Sequence, residues 1–260
     1  RTFFCRLNGK VCIFIPIQSI FRHKKPPNKL KKNTLYCNLF GDKNDKPREF
    51  PTFVIKTDEE RIENRPGVLK DLDAKWVLTE KLDGTSCSYA LKRSGFGKYE
   101  FFVCSRNICK PNMKRETYKG GDIYWDLAFK YDIENVLKDY LDKRQDLDWA
   151  YIQGEGVGNV QGNPLKLLED DLYVFNLVDS KNGRYGSLEA CSIIQSYGMK
   201  FVPIYGIETL KPTMEEMKLD ADGNSMLNPK VKREGIVYRS IDGKRSFKNV
   251  SRKYLLKKGE

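Results

Sequence analysis

Three strand-like runs, Trp76–Glu80, Ser86–Lys92 and Tyr99–Ser105, follow one another with no helix-length segment between them, and Gly95-Phe96-Gly97 supplies a turn between the last two. Strands this close in sequence pair antiparallel, because a parallel neighbour needs a crossover of a dozen or more residues. A meander is therefore expected here, and a doubly wound parallel sheet is not. Helical spacing appears from Asp122 to Arg144, where Val136, Leu137, Tyr140 and Leu141 share a face, and again from Ser187 to Tyr197, stopped by Gly198. After Pro212, Thr213-Met214-Glu215-Glu216 reads as a capping box opening a short helix. Tyr151–Glu155, Leu172–Val178, Ile236–Arg239 and Arg245–Val250 read as further strands. Strands and helices without regular β-α-β alternation predict an α+β domain of antiparallel sheets flanked by helices.

A chain of 260 residues can bury one sizeable core and carry a small appendage. Residues 1–50 are basic and turn-rich, with strand-like runs at Val11–Ile17 and Thr34–Phe40 on either side of His23-Lys24-Lys25-Pro26-Pro27, and Gly41 to Pro51 has linker composition. Residues 1–50 are thus expected to be the end of a preceding module with its linker, and residues 51–260 the main domain. The chain starts at Arg1, which agrees with a missing native N-terminus. Val11–Ile17, the longest apolar run, contains Pro16 and falls well short of the ~18 residues that suggest a membrane span. No small-residue cleavage site follows it, so a secretory signal is a poor match and an intracellular location, cytoplasm or nucleus, is expected.

Forty-seven basic residues against 35 acidic ones give a net charge of +12, and the basic residues recur along the whole chain, which points to a polyanionic partner. The single histidine, His23, removes histidine triads and HExxH zinc chemistry from consideration. Seven cysteines form no CxxC pair, so reduced thiols are expected and neither a disulfide framework nor a zinc site. Any catalysis falls to Lys, Arg, Asp and Glu. A phosphate-binding loop is excluded as well: Gly9-Lys10, Gly97-Lys98 and Gly243-Lys244 all lack the following Ser or Thr. Gly154-x-Gly156-x-Gly158 has the wrong spacing for a dinucleotide fingerprint, and the HRD and DFG sequences of a kinase are absent.

Lys81-Leu82-Asp83-Gly84 stands where a strand runs into a turn, a place that presents an amine at the mouth of a sheet while Gly84 allows close backbone approach. A lysine nucleophile needs burial or nearby positive charge, since a reference pKa near 10.4 leaves little neutral amine at pH 7. The four-residue pattern is not specific by itself, for Lys218-Leu219-Asp220-Ala221 nearly repeats it. The weight lies in five segments in fixed order: Glu80-Lys81-Leu82-Asp83-Gly84, Ser105-Arg106, Gly154-Glu155-Gly156, Glu234-Gly235-Ile236-Val237 and Ser246-Phe247-Lys248.

From about Phe50 to Lys257, this series resembles the covalent nucleotidyltransferase superfamily of polynucleotide ligases and mRNA capping guanylyltransferases, and within it the RNA ligase 2 type. The resemblance implies an ATP-grasp-like adenylation domain and a role for each matching residue. Lys81 would attack the α-phosphate of ATP and become covalently adenylated. Glu80 would lie near the adenine edge, Arg106 would contact the ribose, and Glu155 would accept from ribose hydroxyls. Phe175 matches the aromatic that stacks on adenine, although a phenylalanine in an apolar strand reads equally well as core. Glu234 would engage Mg2+ or Mn2+, directly or through its water, and such a cation would favour a neutral Lys81 by like-charge repulsion. Lys248 would bind the α-phosphate and stabilise its developing charge. Many members carry Lys-x-Lys at that point; here Ser246 takes the first position, with Lys244 and Arg245 as possible substitutes. Thr57-Asp58-Glu59-Glu60-Arg61 also resembles a segment preceding the first motif, without assignable side chains, and reads otherwise as a solvated charge run.

The implied activity is ATP-dependent sealing of RNA 3′-OH and 5′-phosphate ends, in RNA repair, with RNA gripped by its backbone and A-form shape. The sequence ends at Glu260, soon after Tyr254-Leu255-Leu256-Lys257, which favours the branch whose accessory domain precedes the catalytic one and makes residues 1–50 a remnant of an OB-like module. A DNA ligase, a GTP-using capping enzyme and an RNA-binding scaffold without catalysis remain the alternatives.

Overall fold

The computed structural model describes residues 3–7, 10–14 and 47–259, and the chain divides into two compact units, residues 1–46 and 47–260. In the first, β1 (Phe3–Leu7) and β2 (Lys10–Phe14) form an antiparallel hairpin with Phe3 opposite Phe14 and Leu7 opposite Lys10. The end of the expected strand Val11–Ile17, the whole of Thr34–Phe40 and the first part of the proposed linker lie outside the described residues.

The second unit follows the chain through β3 (Trp76–Lys81), β4 (Thr85–Ser94), β5 (Lys98–Cys104), α1 (Ile123–Lys130), α2 (Ile133–Asp142), β6 (Trp149–Val157), β7 (Asp171–Asp179), β8 (Gly183–Arg184) and α3 (Ser187–Ser196). It closes with β9 (Lys200–Phe201), β10 (Ile204–Glu208), α4 (Met214–Asp220), β11 (Gly235–Ser240), β12 (Ser246–Val250) and α5 (Arg252–Lys258). One sheet has the order β10-β3-β11-β12; the other has β5-β4-β6-β7-β8, with β9 joining β7 as the one parallel pair among the described strands. This is an α+β fold of antiparallel sheets flanked by helices.

Side-chain alternation decides what each strand of the smaller sheet offers. Trp76 and Leu78 of β3, Ile236 and Tyr238 of β11 and Phe247 of β12 turn into a core shared with Ile62 and Met217. Tyr238 stacks on Phe247 at 4.9 Å between ring centroids, and Trp76 meets Phe247 edge-on at 5.1 Å. The alternate positions, Thr79, Lys81, Val237, Arg239, Ser246 and Lys248, are thereby left for the opposite face. The larger core lies between the other sheet and α1 to α3, where Tyr89, Leu91 and Ile152 pack with Leu127, Leu137, Leu141 and Ile194.

The structure corrects two readings. The three-strand meander does not form: the chain crosses from one sheet to the other at Leu82-Asp83-Gly84, so β3 takes β10 and β11 as its neighbours, and only β4 and β5 pair as a hairpin. The helical segment 122–144 is two helices, because Asp132 takes a left-handed conformation (φ 49°) that an aspartate tolerates and a helix interior does not. The near-repeat at Lys218 to Ala221 belongs to α4 and its C-terminal cap. The C-terminal residues form α5, capped by the Ser251 hydroxyl, which accepts from the Tyr254 amide at 3.2 Å.

Candidate active site

Every residue assigned a role from the sequence, Glu80, Lys81, Arg106, Glu155, Phe175, Glu234 and Lys248, lines one cavity of about 380 Å³. Register explains the convergence. Across the smaller sheet Lys81 stands opposite Gly235, and Val237 lies between Thr79 and Lys248, so both lysines project from one face with β11 between them. Glu155 comes from the other sheet, paired with Ser86 of β4 and Tyr173 of β7. Gln153 pairs with Asn176 and Gly154 with Val174, which makes Phe175 the extra residue of a β-bulge. A bulge re-aims a side chain, and Phe175 reaches the cavity while still packing against the larger core, so both sequence readings apply to it. Arg239 holds the bulge by donating from Nη1 to the Phe175 carbonyl at 2.8 Å.

Lys81 Nζ lies 2.7 Å from Glu234 Oε1, both side chains largely withdrawn from solvent. Glu155 faces this pair. Burial, reinforced by the negative charges of Glu234 and Asp83 and only partly offset by Lys81, pushes the Glu155 carboxyl up to about 8. At neutral pH it is therefore mostly uncharged, and the carboxyl in direct contact with Lys81 is that of Glu234. Glu80 is 2% exposed, and its Oε2 accepts from the Met226 amide at 2.8 Å and from Tyr205 Oη at 3.2 Å. Its Oε1 is buried without a hydrogen-bond partner, an acceptor waiting for a donor. Tyr205 is itself the extra residue of a bulge, between the pairs Ile204–Thr79 and Gly206–Leu78.

The segment before the first motif is not a solvated charge run throughout: Thr57, Asp58 and Glu59 line the cavity. Asp58 accepts from Lys248 Nζ at 3.1 Å and from Arg106 Nη2 at 2.8 Å. Burial alone would raise its carboxyl, but the Lys248 hydrogen bond and the two cations hold it below the ordinary range. Glu59 behaves similarly: against the cost of burial, Arg239, Ser246 and Arg184 keep it low. The Ser246 hydroxyl donates to Glu59 and receives Arg184 Nη2 at 3.1 Å. Lys244 pairs loosely with Asp242, Arg245 lies near Asp71 and over the Trp76 ring, and neither lines the cavity; the cations that hydrogen-bond Ser246 are Arg184 at its hydroxyl and Arg65 at its carbonyl, and the cavity-lining Arg239 shares Glu59 with it. Arg239 is the residue that sequence reasoning missed, and Asp58 and Glu59 lie in a segment it noted without assigning them a role. Arg239 could have been found from its parity with Val237 on a strand already placed.

Gly84 fixes the turn after Lys81. A Cβ there would come within 2.3 Å of the Gly156 carbonyl oxygen on β6, a backbone atom that cannot move aside alone. Gly84→Ala is expected to cost about 1–3 kcal/mol, as overpacking does. Thermal unfolding should show a midpoint lowered by on the order of 5 °C, and an unchanged midpoint would mean the turn relaxes freely.

Among the described residues no group of three or more His, Cys, Asp and Glu could hold a metal ion. A single accessible carboxylate such as Glu234 nevertheless suits a hard divalent ion that keeps most of its waters.

The sequence profile of the RNA ligase family matches residues 74–257, which span all five segments. The chain belongs to the RNA ligase family. Among solved structures, it is similar to Naegleria gruberi RNA ligase with PPi (29% identity, 100% of this chain and 77% of that one, TM-score 0.68). A variant of that ligase with AMP and Mn aligns at 30% identity over 99% of this chain and 76% of the other, with a TM-score of 0.69. Another variant, with ATP and Mn, aligns at 28% over 100% and 77%, with a TM-score of 0.70. Comparison with curated protein sequences finds no match. An RNA ligase fold thus accounts for both the sheet arrangement and the convergence of the five segments.

Proposed function

We propose that the protein seals RNA 3′-OH and 5′-phosphate ends as an ATP-dependent ligase of the RNA ligase 2 type, and that residues 1–50 belong to an accessory module preceding the catalytic domain 51–260. The observation that carries this reading is the single cavity that gathers Lys81, Glu155, Glu234 and Lys248 from both sheets. ATP-dependent RNA ligation through adenylate intermediates is the activity of the family, and the related ligase structures contain ATP, AMP, PPi and Mn.

In the proposed chemistry the Lys81 amine attacks the α-phosphate of ATP, a P–N bond forms, the bond to the bridging oxygen breaks, and pyrophosphate leaves. The AMP then passes to the RNA 5′-phosphate, and the 3′-OH displaces it to form the phosphodiester. Glu80 Oε1, buried and unpartnered, would accept from the adenine amino group, with Phe175 stacked on the ring. Arg106 and Glu155 would hold the ribose, and Lys248 would meet the α-phosphate once released from Asp58. An amine held in an ion pair has no lone pair to offer, so Lys81 must also part from Glu234 before it attacks. Glu234 would hold Mg2+ or Mn2+, which when bound draws charge from the phosphate and favours the neutral amine.

The direct test is incubation with α-labelled ATP and Mg2+ or Mn2+, then denaturation, followed by sealing of a nicked RNA duplex. Acid-labile covalent label and a sealed strand are expected; folded protein that takes no label with either metal would leave an RNA-binding scaffold as the better description. With a net charge of +12 and an RNA backbone as ligand, affinity for the nicked duplex should fall at least about tenfold between 50 and 200 mM salt. Salt-independent sealing would rule out binding through phosphates. No helix among the described residues is long and apolar enough to cross a membrane.

A further inference from the structure

The loop from β6 to β7, residues 158–170, holds three of the five non-glycine residues that take a left-handed conformation among the described ones: Gln161 (φ 49°), Asn163 (φ 53°) and Lys166 (φ 54°). Side chains other than asparagine and aspartate are uncommon there, and such a conformation persists only where the surroundings over-determine it. Here Asn163 Nδ2 donates to the Leu167 carbonyl at 2.7 Å while its Oδ1 accepts from the Leu167 amide at 2.9 Å, and Asp170 Oδ1 accepts from the Asn159 amide at 2.6 Å. Leu165 is buried in the larger core, and its carbonyl accepts from Asn228 Nδ2 at 3.0 Å. Gln161 is the residue of this braced loop that lines the active-site cavity, where it is exposed and therefore stands at the rim. Its Nε2 donates to the carbonyl of Gly84, in the turn after Lys81. A carbonyl only accepts, so this bond fixes which end of the amide is which and turns the amide oxygen away from Gly84. Among the described residues no group donates to that oxygen.

We infer that Gln161 is a specificity residue whose amide oxygen accepts a hydrogen bond from a ribose hydroxyl. The inference rests on the ligase reading above. Of the substrate groups which that reading brings into the cavity, phosphate oxygens only accept and the adenine amino group goes to Glu80 Oε1, so the donors that remain are ribose hydroxyls. Position agrees. Gly84, to which Gln161 is tied, backs onto the carboxylate proposed to meet the ribose, since a Cβ on Gly84 would lie 3.1 Å from Glu155 Cγ. The hydroxyl belongs either to ATP or to the nucleotide that carries the 3′-OH at the nick, and the chemistry of recognition is the same for both.

Gln161→Gly removes the side chain and suits a φ of 49°, so the loop keeps its backbone, and Gln161→Ala checks the result with a Cβ in place. Two arms separate the sources. In the first, single-turnover adenylation is measured at subsaturating ATP, 2′-deoxy-ATP and 3′-deoxy-ATP; in the second, sealing of a pre-adenylated nicked duplex whose 3′-OH nucleotide carries ribose or 2′-deoxyribose. In at least one arm both variants are expected to lose about 3–10-fold with the full ribose, but less than about twofold with the analogue that lacks the recognised hydroxyl. Removing either partner of one hydrogen bond leaves nothing for the second removal to take, and the arm that shows this coupling names the source. Losses of equal size with ribose and deoxyribose in both arms would overturn the inference, because they mark the amide as a pin for the turn after Lys81 and no more. Variants within about twofold of wild type on every substrate would overturn it as well. Wild-type protein that takes no label and seals no adenylated nick would instead bring down the ligase reading, and this inference with it.

Discussion

Lys81→Ala should take no covalent label from α-labelled ATP, a loss on the order of 10⁵-fold or more, as expected when the nucleophile of a covalent mechanism is deleted. Cations elsewhere in the cavity cannot substitute. Lys248 is the nearest alternative amine in kind, but it projects from β12, two strands across the sheet from β3, and is engaged by Asp58 at 3.1 Å. The variant should still seal RNA whose 5′ end already carries AMP, because the remaining step needs the cavity and its cations and not the lysine. That split separates a nucleophile from a residue that merely shapes the site. Label appearing on Lys81→Ala, or equal loss of both activities, would contradict the assignment. Removing Lys81 also leaves Glu234 without its 2.7 Å partner, so a modest fall in thermal midpoint should accompany the chemical effect.

The parts legible in the sequence were those set by local rules. The β4–β5 hairpin followed from short spacing and the Gly95-Phe96-Gly97 turn, and the capping box of α4 from Thr213 and Glu216, whose reciprocal hydrogen bonds the structure contains, whereas β3, just as close in sequence, joins the other sheet. The order of the five segments carried the identity of the cavity residues. What stayed hidden depends on long-range register. Nothing local says that Glu59 will meet Arg239, 180 positions away, at 3.0 Å, or that Tyr254 will reach Asp83 across 171 positions. The bulges at Tyr205 and Phe175 were likewise invisible, because an extra residue is defined by what the neighbouring strand pairs with. The break at Asp132 was missed for a different reason: apolar spacing continues in phase through the segment, and only the backbone angle reports the interruption.

Glu155→Gln is expected to trade activity for stability, and the pH dependence gives the sign. The carboxyl titrates near its ordinary 4.5 in the unfolded chain and is pushed up to about 8 in the native protein, chiefly by burial. Below pH 4.5 both states hold the proton and nothing is lost. Between those values the unfolded chain releases its proton while the native state retains it, so this residue lowers native stability progressively as pH rises through the native pKa. Glutamine has the same shape and no charge to bury. Its advantage over wild type should therefore be under about 1 kcal/mol at pH 5 and grow to roughly 4 kcal/mol at pH 8, a rise of roughly 8–16 °C in midpoint. Adenylation should fall about 10²-fold, and any preference for ATP over 2′-deoxy-ATP should shrink, since the ribose hydroxyls lose their carboxyl partner. A variant no more stable at pH 8 than at pH 5 would show that the buried carboxyl relaxes or hydrates in solution. A stabilised but inactive variant would identify Glu155 as a group kept for chemistry at a cost to the fold, beside the proposed nucleophile Lys81 and its ion-pair partner Glu234.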